Sequence, residues 1–184
     1  MKIWAKILIF LLVITTVLVI TSGTTETSII DKLSNSGIEA NDSTPSVRMY
    51  NAVMLYSSMY DIPSNYAFAL AYKETRYMGP AQINYNQAIS SNHGALGPMQ
   101  IKMGTAKMFI NDSEKLTKKL LKDDIELNVR LSMRILRHLK DTYGTWEKAF
   151  GAYNTGKPIV NTYARNITSN KYKWVPFYKK DGEL

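Results

Sequence analysis

The chain has no cysteine among its 184 residues, which excludes disulfides, thiolate metal sites, a cysteine nucleophile and a lipid-modified cysteine. Histidine is nearly as scarce. His93 precedes a glycine in an expected loop, His138 falls within a long helical pattern, and neither has the carboxylate or cysteine spacing of a metal motif. No metal or other cofactor is therefore expected. Internal repeats are absent, no segment alternates convincingly as a strand, and no arginine-rich stripe or nucleic-acid motif accompanies the scattered lysines. Nucleic acid is not the expected partner.

The hydrophobic share is 45%, enough for one globular domain with a real core. The formal charge is +8, and setting aside Lys2 and Lys6 leaves 21 basic and 15 acidic residues, a net of +6. That excess implies attraction to polyanions, and an anionic envelope polymer or a membrane surface serves as well as any other. Residues 1–23 carry Lys2 and Lys6 before an uncharged apolar run from Ile7 to Ile20. Its length lies between a signal-peptide core and a full span. An uncleaved anchor through residues 3–20 is the favoured reading and a cleaved signal segment the runner-up, because Thr21-Ser22-Gly23 is only a fair cleavage site. Positive charge ahead of the run orients the body to the outer side of a cytoplasmic membrane.

Residues 24–45, rich in Ser, Thr, Asn and Asp, read as a polar linker. From residue 46 to residue 184 the signals are helical. The pattern predicts helices over 47–59, in the run containing Glu74, over 105–110, 113–122, 124–142 and 145–153, and in two short segments after Pro158. Asp61 reads as a cap for the helix that follows Pro63. The longest helix carries Ile125, Val129, Ser132, Leu136 and Leu139 on one stripe and stops at Gly144. The expected body is mainly α.

Glu74 is the residue that most restricts function. It follows Ala67, Leu70 and Ala71 by seven, four and three residues, so its carboxylate shares the apolar stripe of a helix. Such a group finds a partner, sits at a frayed end in water, or holds a proton near neutrality through a raised pKa. Three further islands stand downstream: His93-Gly94-Ala95-Leu96-Gly97-Pro98-Met99-Gln100-Ile101, then Asp124-Ile125-Glu126-Leu127-Asn128, then Ala152-Tyr153-Asn154-Thr155-Gly156. Taken alone, the last is a helix C-terminus with Asn and Gly as stop signals.

In order and spacing, the four islands resemble the catalytic domain of the soluble lytic transglycosylase family, lysozyme-like enzymes that cut peptidoglycan glycan strands. The resemblance covers roughly residues 48–178. It implies a helical fold of goose-type lysozyme kind, peptidoglycan as partner, and Glu74 as catalytic acid. The chain departs from the family at Thr75, where serine is usual, at Pro98, where leucine is usual, and in a longer stretch between Glu74 and Gly97. Pro98 has no backbone donor, so any family role for that amide does not carry over.

A glutamic acid kept protonated can protonate a glycosidic oxygen while positive charge develops on the sugar. Hydrolases of the two-carboxylate kind need a second acid roughly 5–9 Å away. Here Asp61 reads as a cap, Asp112 and Glu114 as a helix start, and Asp123, Asp124 and Glu126 as first-turn charges suited to the helix dipole. Their unsuitability favours the single-acid route that the resemblance implies, in which Glu74 serves twice and leaves a 1,6-anhydro product. By the same resemblance Tyr153 lies beside Glu74 and orients it by hydrogen bond, Asn154 meets the N-acetyl group or the developing charge, and Gln100 binds acetamido sugars over a floor formed by Met99. Tyr77, near the acid, and Trp174, in the aromatic C-terminal part, are candidate groove walls. The rival functions are a hydrolytic goose-type lysozyme and an inactive glycan-binding scaffold.

Overall fold

The computed structural model describes residues 43–111 and 115–169. The anchor, linker residues 24–42, Asp112, Glu114, Trp174 and the second of the short C-terminal segments lie outside them, whereas the last linker residues, Thr44 and Pro45, already belong to the start of the first helix. Among the described residues no helix is long and apolar enough to cross a membrane.

Helix α1 (Pro45–Met59) begins where Thr44 Oγ1 accepts from the Val47 amide and Pro45 takes the first turn, where a missing N–H costs nothing. It ends at Met59, and Asp61, with a left-handed backbone (φ 50°), turns the chain toward α2 (Ser64–Thr75). Asp61 is not the cap of α2. Pro63 holds that position without a side-chain cap, and the Asp61 carboxylate instead pairs with Arg137 at 3.1 Å. The physical reason is the left-handed turn, which spends Asp61 on leaving α1. In α2 five consecutive residues, Ala67 to Ala71, are buried, as expected of a helix enclosed by its neighbours.

After a long loop the chain forms a small antiparallel pair, β1 (Ala95–Leu96) and β2 (Ile101–Lys102), with Ala95 opposite Lys102. The sequence pattern predicts no strand here, because two residues are too few to show alternation. Helices α3 (Met103–Phe109), α4 (Lys118–Asp123), α5 (Ile125–Tyr143), α6 (Trp146–Thr155) and α7 (Thr162–Thr168) follow. Asp124 caps α5 by accepting from the Leu127 amide, and Gly144 closes it in the left-handed region.

Helix α5 is the central post, packed against α1 and α6, and α6 in turn packs against α7. Its Ile125, Val129, Ser132 and Leu136 are buried, with Leu139 at the edge. A bidentate pair from Arg48 to Glu126, at 3.0 and 2.5 Å, ties α1 to its first turn. Gly151 lets the segment after α6 fold back against the helix. A Cβ there would lie 1.9 Å from the Ile159 carbonyl oxygen, so no larger residue fits without moving that segment.

Candidate active site

Glu74 occupies the last turn of α2, which Arg76 ends in the left-handed conformation. Its carboxylate is partly buried and accepts a hydrogen bond from the Tyr163 hydroxyl of α7 through Oε1. Burial pushes the Glu74 acid above the ordinary glutamate range, while the Tyr163 bond and the nearby charge of Lys73 pull back only part of that rise. Lys73 also sits 5.7 Å from the Tyr163 ring centroid. The acid thus faces a cleft of about 1050 Å³ while leaning on a polar partner from the far end of the chain.

The turn Gly97-Pro98-Met99-Gln100 forms the second part of the site, and three side chains hold its backbone. Asn128, fully buried on α5, accepts from the Met99 amide at 2.8 Å and donates to the carbonyls of Leu96 and Leu121 at 3.0 and 2.7 Å. Thr75, next to the acid, places its hydroxyl 2.9 Å from the Pro98 carbonyl, with Tyr85 Oη 3.1 Å away. The proline's missing donor therefore leaves this anchor intact, since the contact is to its oxygen. Tyr153 supplies the third bond, donating to the Met99 carbonyl at 2.7 Å. A phenol has one proton, so Ser132 Oγ, 2.9 Å away, is the donor to Tyr153 Oη.

Tyr153 therefore does not orient Glu74 by hydrogen bond. It lines the same cleft, and burial first and the Glu74 charge second push its pKa up, but its proton is committed to Met99. Gln100 lines the cleft with a left-handed backbone (φ 52°), and its Nε2 is held by the Gly97 carbonyl at 2.8 Å. Asn154 is exposed on the cleft and accepts from Asn161 at 3.3 Å. Met99 is fully buried and is not part of the lining, so it contributes its backbone and core packing rather than an apolar floor. Tyr77 is likewise no groove wall. It is fully buried, packs edge-on to Tyr85 at 4.9 Å, and donates to the Ser46 carbonyl at 2.6 Å. A tyrosine three residues past the acid lies beyond the helix end, where the left-handed Arg76 has already turned the chain back into the core.

Among the described residues Glu74 is the only acid lining the cleft. Asp123 pairs with Lys119 and Lys122, Asp124 caps α5, Glu126 pairs with Arg48, and Asp61 with Arg137. No group of three or more His, Cys, Asp or Glu side chains stands ready for a metal within them. Sequence reasoning misses Tyr163. Its only signals are the Asn161 cap, which accepts from Ala164, and the i, i+4 relation to the buried Ile167.

A lysozyme-like helical domain with a partly buried glutamate in its cleft defines the class. The chain belongs to the transglycosylase SLT domain family, whose model matches residues 52–175. Among solved structures it is similar to the 70 kDa soluble lytic transglycosylase of Escherichia coli, with 27% identity over 65% of this chain and 19% of that one, at a TM-score of 0.50. It shares its fold with an inactive mutant of the lytic transglycosylase Slt of Pseudomonas aeruginosa, at 19% identity over 67% of this chain and 23% of that one, with a TM-score of 0.53. The chain spans about a fifth of the length of those structures. Comparison with curated proteins gives no match.

Proposed function

We propose that this chain is a peptidoglycan lytic transglycosylase that uses Glu74 for both proton transfers. The observation that carries the reading is one carboxylic acid, raised in pKa by burial, as the only acid lining the cleft among the described residues. Protonated Glu74 gives its proton to the oxygen between N-acetylmuramic acid and N-acetylglucosamine, and the bonding pair leaves with that oxygen. Positive charge develops at the muramic C1. The Glu74 carboxylate, now held by Tyr163, removes the proton of the C6 hydroxyl, and O6 closes on C1. The 1,6-anhydro ring contains no atom from water.

Tyr163 suits this double duty. By stabilising the carboxylate it keeps the pKa from rising so far that Glu74 holds its proton too tightly to donate it. Mass spectrometry of digested glycan is the test: anhydromuramic ends are expected, and ends heavier by one water would assign the chain to the hydrolytic lysozymes instead. The same proposal sets the domain on the outer side of a cytoplasmic membrane, tethered through residues 3–20. The lysines ahead of the apolar run support that orientation. Protease added to spheroplasts should digest the domain; complete protection would place it inside.

A further inference from the structure

The cleft is lopsided in charge. Besides Glu74, the fixed charges of its lining are both positive, Lys102 on the side of the β pair and Arg134 on α5; His93 adds an imidazole donor beside Lys102, and His138 another one helical turn from Arg134. Helix α3 packs against both β2 and α5, so the two groups flank one wall. Arg134 is the telling member. Arg48 and Arg137 each have a carboxylate partner. Arg134 is instead held by neutral acceptors, the Phe109 carbonyl at 2.8 Å and Asn111 Oδ1 at 3.2 Å. Those bonds fix the guanidinium without neutralising it, and among the described residues no carboxylate reaches Arg134 or Lys102. A pre-positioned arginine with unspent donors is well suited to a carboxylate.

Resting on the transglycosylase reading, we propose that His93, Lys102, Arg134 and His138 form a carboxylate subsite that takes the stem peptide carried by the glycan strand. The sugar backbone around the scissile bond is neutral where peptides are attached, because the lactyl carboxyl of muramic acid is spent in the amide. The charges on such a strand are therefore those of the peptide. A subsite here makes the enzyme favour strands whose peptides are present and unmodified, and it makes amidation of those carboxylates a brake on turnover.

The test uses the full chain carrying Glu74→Gln, so that binding is read without cleavage. Soluble, phosphate-free glycan strands are offered intact or with their peptide carboxylates converted to amides. Intact strands should bind about tenfold more tightly, the scale of one charge-assisted contact. Lys102→Gln and Arg134→Gln should each shrink that ratio and together bring it near one, whereas Lys148→Gln, on an exposed part of α6, should leave it alone. The Lys102 side chain is exposed and makes no hydrogen bond to the described residues, so its variant tests the subsite even where loss of Arg134 perturbs α3. Equal binding of the two strands, or a ratio that both substitutions leave unchanged, overturns the subsite. Recovery of Lys102- and Arg134-dependent binding by amidated strands carrying a phosphate polymer would reassign it to phosphate and overturn the carboxylate. Failure of every strand to bind would sink the glycan reading itself, a result distinct from strands that bind equally well.

Discussion

At the scale of single residues, the site turns on where two protons are kept. Burial disfavours the Glu74 charge and raises the affinity of its carboxyl for one of them, and Tyr163 limits the effect by donating the other to the carboxylate. Replacing Glu74 by Gln should cut wall turnover by at least ~10³-fold while strands still bind, measured by release of soluble muropeptides. Tyr163→Phe removes the bond that favours the carboxylate, so the pKa of Glu74 rises further. The alkaline limb of the pH–rate profile should move to higher pH and the maximal rate fall about tenfold. Stability carries the same sign. With the folded-state pKa above the unfolded one, the stabilising contribution of protonated Glu74 is intact below the ordinary glutamate range and lost as pH rises toward the raised value. Glu74→Gln cannot ionise. Its Tm should exceed the parent's at pH 7, and the gap should close by about pH 4.

Among the elements, the turn after β1 matters most, because its backbone is fixed by residues from α2, α5 and α6. Asn128→Ala would leave the Met99 amide and the Leu96 and Leu121 carbonyls without that partner, at a cost of ~3 kcal/mol in denaturant unfolding. Gly151→Ala should push the Ile159 segment off α6 and carry α7 with it. Activity should fall with Tyr163 displaced, although residue 151 touches no substrate. The helices are legible in the sequence where an amphipathic stripe runs between a cap and a glycine, as in α5. The β pair is not legible, because a two-residue strand has no period. Glu74, Gln100 and Asn154 can be read from islands of local sequence. Tyr163 cannot, because its role arises from the folding back of the chain at Gly151, and nothing near Tyr163 encodes a partner 89 residues away. Tyr153 can be read as a site residue but not for its task, since the choice between Glu74 and Met99 depends on a distance only the fold sets.

For the molecule as a whole, the net charge of +8 and the cationic wall of the cleft act in one direction, toward an anionic polymer. Raising ionic strength from ~0.05 to ~0.5 M should weaken sedimentation with intact wall several-fold, because contacts between exposed charges are screened beyond a few ångströms. The rate on short, uncharged oligosaccharides should barely change, which separates attraction to the polymer from chemistry at Glu74.

The long loop from Arg76 to Gly94 lies between two clamps. Thr75 grips Pro98 on one side, and Asn128 grips Leu96 and Met99 on the other. Within the loop, Ile83 is 85% exposed. Extra length added there enters solvent ahead of Ile89, whose carbonyl accepts from the Gly97 amide at 2.8 Å and is where the loop joins the turn that carries Gln100. The loop is thus a natural insertion port. A short tag placed after Ile83 should report where the protein works in a cell without slowing it.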